Sequence, residues 1–262
     1  MKLAISGKGG VGKTLLSALL VREFARQGFS VLAIDADPDT NLASALGFPQ
    51  PADIIPISAM KDLIEERTGA GPGQSGPFFK LNPHVEDIPE KYARKMDNIR
   101  LMVMGRMKPG GSGCYCAENS LLQALLAHLL IARNEAVILD MAAGIEHLGR
   151  ATARAVDKFI IVVEPGRKSI ETAKHIRQLA QDIGVKNIAA VGNKVRRQSD
   201  RDFLTANLPD FEFLGFIPYD PAIIDAEVAD GLPLEASPTV IQEVKRIYLN
   251  IMTPEEGVSG RV

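Results

Sequence analysis

The sequence predicts an α/β fold: a single domain whose mostly parallel sheet of about seven strands is covered by helices on both faces. Short apolar runs of strand length alternate with longer amphipathic stretches along most of the 262 residues, which is the pattern of right-handed strand–helix–strand crossovers. The first apolar run leads through a glycine-rich turn straight into a helical stretch. No internal repeat or linker interrupts the alternation, so residues 1–262 read as one domain.

The predicted strands are 2–6, 31–35, 99–104, 136–140, 159–163, 188–192 and 213–217, each rich in Val, Ile, Leu or Phe and bounded by turn residues. Helical spacing of apolar residues marks 14–27, 117–133, 169–183 and 201–208 between them, and 239–252 packs on the sheet after the last strand. Residues 67–98 break this rhythm with Gly69-Ala70-Gly71-Pro72-Gly73 and Asn82-Pro83-His84. A Pro/Gly-rich connection of that length reads either as a lid or interface segment or as an insertion without a role.

Composition excludes several classes. Hydrophobic residues make up 46% and charged residues 24% of the chain, as in ordinary globular proteins. The net charge is −2 and no long Lys/Arg run appears, so nucleic acid is not an expected partner. No apolar run approaches the roughly 18 residues that cross a bilayer, and the chain opens on a core strand without a leader pattern. The expectation is a cytoplasmic protein with no membrane partner.

The turn after the first strand reads Gly7-Lys8-Gly9-Gly10-Val11-Gly12-Lys13-Thr14. This is the order of a phosphate-binding P-loop. Glycines allow successive N–H groups to face a β-phosphate, and the new helix adds its positive end. Gly9, Gly10, Val11, Gly12, Lys13, Thr14 and Leu15 are therefore expected to bind nucleotide. Lys13 would reach the β- and γ-phosphates, and the Thr14 hydroxyl would ligate Mg²⁺. ATP is favoured over GTP, because Asn193-Lys194-Val195-Arg196 lacks the carboxylate that a guanine site commonly uses.

Carboxylates follow where open α/β sheets bind ligands, at the carboxyl ends of strands. The second strand leads into Asp35-Ala36-Asp37-Pro38-Asp39, where Asp37, and after it Asp39, is the candidate for orienting the attacking water; helix capping is the competing role. The fourth strand ends in Asp140, placed to face the Mg²⁺ shell, and Gly144 just beyond it has an N–H for a γ-phosphate. Asn193 and Pro218, each near the end of a later strand, are candidates for the nucleobase, with plain turn chemistry as the alternative. The four histidines lack ligand spacing: His128 reads as packing, and only His84, in the irregular stretch, stands out.

The two cysteines, Cys114 and Cys116, lie just before a predicted helix start, where thiol pKa values fall. Two sulfurs do not complete a four-coordinate site. A twofold dimer would supply two more from the partner's loop, giving an S₄ site on the axis for a soft or borderline metal. Two inert buried cysteines, a strained redox pair or an iron–sulfur cluster remain alternatives.

The loop from Lys8 to Thr14 resembles the deviant Walker-A ATPases, the family of MinD, ParA, the nitrogenase iron protein and the tail-anchored-protein targeting ATPase. The resemblance extends through Asp37-Pro38, Asp140 with Gly144, and Asn193; Leu15 departs from it, standing where a second Thr is common. It implies a nucleotide-dependent homodimer in which Lys8 crosses to the partner's phosphates and Glu164 faces nucleotide across the interface. The segment Gly111-Ser112-Gly113-Cys114-Tyr115-Cys116 looks like that of the nickel-insertion accessory ATPases of carbon monoxide dehydrogenase, the CooC type. That resemblance implies a metallochaperone ATPase whose paired Cys114 and Cys116 bind Ni²⁺ or Zn²⁺ and whose client is carbon monoxide dehydrogenase. A MinD/ParA-type positioning ATPase and an iron–sulfur electron-transfer ATPase are the alternatives.

Overall fold

The computed structural model describes residues 1–71, 79–105, 117–131, 135–145, 148–229 and 231–253. Its strands are β1 (Lys2–Gly7), β2 (Val31–Ala36), β3 (Arg94–Met96), β4 (Ile99–Val103), β5 (Ala136–Met141), β6 (Lys158–Val163), β7 (Ile188–Val195) and β8 (Glu212–Pro218). The helices are α1 (Lys13–Arg26), α2 (Leu42–Leu46), α3 (Lys61–Thr68), α4 (Ile88–Tyr92), α5 (Ala117–Ile131), α6 (Arg150–Ala153), α7 (Arg167–Asp182), α8 (Gln198–Asn207), α9 (Pro221–Val228), α10 (Pro233–Ala236) and α11 (Pro238–Met252). The strands form one eight-stranded sheet in the order β3-β4-β2-β5-β1-β6-β7-β8. All neighbours are parallel except β3 and β4.

Period-two alternation sends successive side chains to opposite faces, and each face has its own core. Leu3 and Ile5 of β1, Val31 and Ala33 of β2, and Ile160 and Val162 of β6 pack with α1, α2 and α11. Leu32 and Ile34 of β2, Val137 and Leu139 of β5, and Phe159 and Ile161 of β6 pack with α3, α5, α7 and α8. Because both faces are covered, the central strands are buried along their whole length, and their sequences read as continuous apolar runs.

The stretch 67–98 is more regular at its ends than its composition implies. It holds the end of α3, the short α4 and β3, which turns through Asp97 (φ 53°) into β4. Arg67 at the end of α3 donates two hydrogen bonds to Asp87 just before α4, at 2.8 and 2.7 Å, so these two pieces are fastened together. His84 lies beside this pair, with Nδ1 3.4 Å from Asp87. Residues 72–78 lie outside the described residues.

On the α1 side the aromatic rings lock helix to helix. Phe24 is fully buried, with its ring centroid 4.8 Å from that of Tyr248 on α11 and 5.5 Å from that of Phe29, both edge-on. Phe24→Ala is expected to destabilise the protein by about 3–5 kcal/mol, read as a lower urea midpoint with an unchanged slope.

Candidate functional site

The parallel sheet places the ends of β1, β2 and β5 side by side, and the site is built on that edge. Helix α1 begins at Lys13 and is preceded by Gly12 at its N-cap, whose φ of 93° suits a residue without a side chain; no side chain caps this terminus and no acid lies in the first turn. The helix therefore offers an uncompensated positive end to an anion. A cavity of about 990 Å³ opens over it. Gly9, Gly10, Gly12, Lys13, Thr14 and Leu15 line one wall. Asp37, Pro38 and Asp39 line another, with Ala142 and Ala143 beside them. Val11 is buried beneath the loop.

The charged groups are tightly engaged. Lys13 is almost buried, and its Nζ lies 3.7 Å from Asp37 Oδ2. Asp39 is exposed, and its N–H donates to Asp37 Oδ1 at 3.0 Å, so the two acids belong to one turn. Thr14 Oγ1 donates to Asp140 Oδ2 at 2.7 Å, and Ser17 Oγ donates to Asp140 Oδ1 at 3.0 Å. Thr14, Asp140 and Asp37 present only hard oxygen donors, a set that fits Mg²⁺.

Asp35 is the partner that sequence reasoning passed over. It is paired in register with Asp140 across β2 and β5, and both are wholly buried. Its carboxylate accepts from the N–H of Leu42 at 3.0 Å and of Asp37 at 3.2 Å, holding the acidic turn and the start of α2 to the strand end. Burial pushes the Asp35 carboxyl up to about 7, against the Leu42 hydrogen bond and with repulsion from Asp140 adding to the rise. Burial likewise pushes Asp140 up to about 6, opposed by its bonds from Thr14 and Ser17. The available signal was Asp35 itself, a carboxylate inside the otherwise apolar, fully buried strand Val31–Ala36.

The opposite side of the loop is braced from β7. The pairing of β7 with β8 is irregular between Gly192 and Val195, and Lys194 adopts a φ of 56°. Such a conformation costs a non-glycine residue about 1–2 kcal/mol, and it lets two consecutive side chains reach the same loop. Asn193 Nδ2 donates to the Val11 carbonyl at 2.7 Å, and Lys194 Nζ to the Gly10 carbonyl at 2.6 Å. Asn193 is buried beneath the phosphate loop, and neither it nor Pro218 is among the residues that line the 990 Å³ cavity. Pro218 ends β8 in register with Val195. Glu164 sits between two lysines, with carboxylate oxygens 3.3 Å from Lys8 Nζ and 3.3 Å from Lys194 Nζ.

Past β5, Ser6 Oγ donates to the carbonyls of Ala142 and Gly144, each at 3.0 Å, and the Gly144 N–H donates to Ala142. Among the described residues no group of three or more His, Cys, Asp or Glu side chains forms a metal cluster. Cys114 and Cys116 lie outside the described residues. No helix among the described residues is long and apolar enough to cross a membrane.

Comparisons with known proteins agree with this geometry. The CobQ/CobB/MinD/ParA nucleotide-binding domain model matches residues 2–234. An uncharacterized ATP-binding protein of Methanocaldococcus jannaschii is 46% identical over 95% of this chain and 96% of its own. The carbon monoxide dehydrogenase accessory protein CooC of Rhodospirillum rubrum is 43% identical over 99% of this chain and 100% of its own. Among solved structures, a ParA family ATPase from Chlorobium tepidum superposes with a TM-score of 0.68 at 14% identity, covering 96% of this chain and 99% of that one. MinD in the Aquifex aeolicus MinC:MinD complex superposes with a TM-score of 0.65 at 22% identity, covering 94% of each chain.

Two expectations follow. A Cβ at Gly12 would stand 2.2 Å from Asn193 Nδ2 on a backbone already at positive φ, so Gly12→Ala is expected to displace the brace and lower affinity for labelled ATP at least about tenfold in equilibrium titration. In the nucleotide-free protein, Asp35 and Asp140 hold protons to higher pH folded than unfolded. Their contribution to stability is complete below the unfolded carboxylate range near 4 and is lost as pH rises toward about 6–7. Asp35→Asn is expected to flatten the fall in melting temperature across that window and to raise it at pH 8, as measured by calorimetry.

Proposed function

The chain belongs to the CobQ/CobB/MinD/ParA nucleotide-binding domain family, and from that premise we propose that this P-loop ATPase is a CooC-type metallochaperone that delivers nickel to carbon monoxide dehydrogenase. Likeness to the Rhodospirillum rubrum accessory protein along the whole of both chains carries this reading. The cysteine pair in the sequence supports it, because thiolates from two protomers would make a four-sulfur site for Ni²⁺ or Zn²⁺ as cargo.

In this reading ATP lies in the cavity with its β-phosphate in the loop and its γ-phosphate toward Lys13. Mg²⁺, held by Thr14 with Asp140 behind it, would supply charge neutralisation at the β- and γ-oxygens. Asp37 is the better placed of the two candidate acids for orienting water, since it lines the cavity and lies beside Lys13. Lys8 acts on the partner's phosphates, which requires that it leave Glu164. Dimerisation driven by ATP then alters the spacing of the paired cysteines, and hydrolysis resets it. The client is met in the cytoplasm.

The test uses anaerobically purified full-length protein. Expected are a dimeric mass with a non-hydrolysable ATP analogue and about one Ni²⁺ per dimer, as four thiolates per ion require. Replacing both Cys114 and Cys116 by Ala is expected to abolish metal binding while ATP binding is kept. Stoichiometric Ni²⁺ on the double variant, or a monomer under every nucleotide condition, overturns the reading.

A further inference from the structure

Ser6 is the one polar side chain between Leu3 and Gly7 of β1, and its hydroxyl is used away from its own strand. It is wholly buried, and alternation puts it on the same face as Ala4, which packs in the core shared with α5 and α7. A buried hydroxyl without a partner is unfavourable. The partners here are two carbonyls of the turn that follows β5, those of Ala142 and Gly144, each 3.0 Å away. Register brings the turn within reach, since Ile5 is paired with Asp140 across β1 and β5.

That turn is bent back on itself. The Gly144 N–H donates to the Ala142 carbonyl at 2.8 Å, a closure over three residues. Along an extended chain, carbonyls two residues apart stand about 6–7 Å from each other, too far to share one hydroxyl at this distance. A serine has a single hydrogen to donate, and the bent form lets two oxygens share it. Ser6 therefore fits the bent turn and not an opened one.

The bent form keeps the Gly144 N–H away from phosphate. Ala142 and Ala143 line the nucleotide cavity, whereas Gly144 is buried and is not among the lining residues. To serve a γ-phosphate, as its place just past Asp140 suggests, the Gly144 N–H has to leave Ala142, and the two carbonyls then part. Ser6 cannot follow them. It is paired with Ile161 in the sheet, and a Cβ on the next residue, Gly7, would stand 2.5 Å from the Val162 carbonyl oxygen, so the end of β1 is pressed against β6. The hydroxyl is a fixed post and the turn is the part that moves.

We propose that Ser6 sets how strongly the site distinguishes ATP from ADP: its hydroxyl holds the 142–144 turn in the bent form, which ADP leaves undisturbed and which a γ-phosphate has to open. Ser6 is a positioning residue that acts through the turn and touches no atom of the nucleotide. The inference rests on the nucleotide site alone and is independent of the nickel reading, since it uses neither the cysteines nor a client.

The test is equilibrium titration of the full-length protein with labelled ADP and with a labelled non-hydrolysable ATP analogue, both with Mg²⁺. Ser6→Ala deprives the bent turn of its shared donor, so the dissociation constant for ADP divided by that for the analogue is expected to rise at least about threefold over wild type. Ser6→Cys, of similar size but a weaker donor, is expected to fall between the two, and it carries the test should the Ala variant fail to fold. Without nucleotide, amide exchange over 142–145 is expected to be faster in Ser6→Ala than in wild type. A merely structural role would weaken both nucleotides together and leave the ratio unchanged. That result overturns the proposal, as does a ratio that falls, or a turn that exchanges at the wild-type rate. Failure of the wild-type protein to bind either nucleotide overturns the nucleotide site along with it.

Discussion

Two carboxylates forced together at the end of a buried parallel sheet govern the rest of the site. The register of β2 against β5 sets Asp35 beside Asp140, and both are removed from water. Charged side chains in that position are unfavourable unless donors or cations compensate them. Each donor found there comes from an element that has to be placed for phosphate chemistry: Thr14 and Ser17 from α1, the Leu42 N–H from α2, and the Asp37 N–H from the acidic turn. Satisfying the pair thus fixes the phosphate loop's helix, the Asp37 turn and the Thr14 hydroxyl in one network. The pair remains under-compensated, as the raised pKa values of both acids record. A divalent cation entering on the Thr14 side would relieve it.

The loop is held from its other flank by a different device. Asn193 and Lys194 follow each other in the chain, so a regular strand would aim them at opposite faces. The irregular β7–β8 pairing and the positive φ of Lys194 redirect them, and both then hydrogen-bond to carbonyls of the loop. Occupying carbonyl oxygens on the outside of the loop steadies its peptide groups in the orientation that turns N–H groups inward. Local backbone strain is retained at a functional position because two hydrogen bonds and an ion pair to Glu164 offset it.

Much of the fold was legible in the sequence because buried parallel strands are nearly continuous apolar runs, and β2, β5 and β6 have no other reading. The three residues of β3 were not, since Arg94-Lys95-Met96 is largely exposed and too short to show a period. The short helix α4 was hidden for the same reason, and its place depends on the Arg67–Asp87 pair, a contact between separated residues. The P-loop was legible because its glycines and lysine are required at fixed spacing. The roles of Asp35, Ser17 and Lys194 were not, because each depends on a neighbour brought in by the sheet: Asp140 for the first two, Gly10 for the third. Asn193 was picked out for a nucleobase on its amide chemistry, and that same chemistry serves the Val11 carbonyl.

The two lysines around Glu164 are held unequally. Within one protomer Lys8 and Lys194 share a single carboxylate, each at 3.3 Å, in a half-exposed setting where such pairs contribute modestly. Their neutralisation differs in kind. Lys194 has a second anchor in the Gly10 carbonyl, whereas Lys8 pairs with Glu164 through a side chain that is 37% exposed. A polyphosphate approaching from outside the protomer therefore competes with one carboxylate for Lys8, while Lys194 stays on the loop and keeps Glu164 in place. The energetic barrier to lending Lys8 elsewhere is small, and the charge left behind on Glu164 remains balanced by Lys194. That asymmetry leaves Lys8 the less firmly anchored cation of the two.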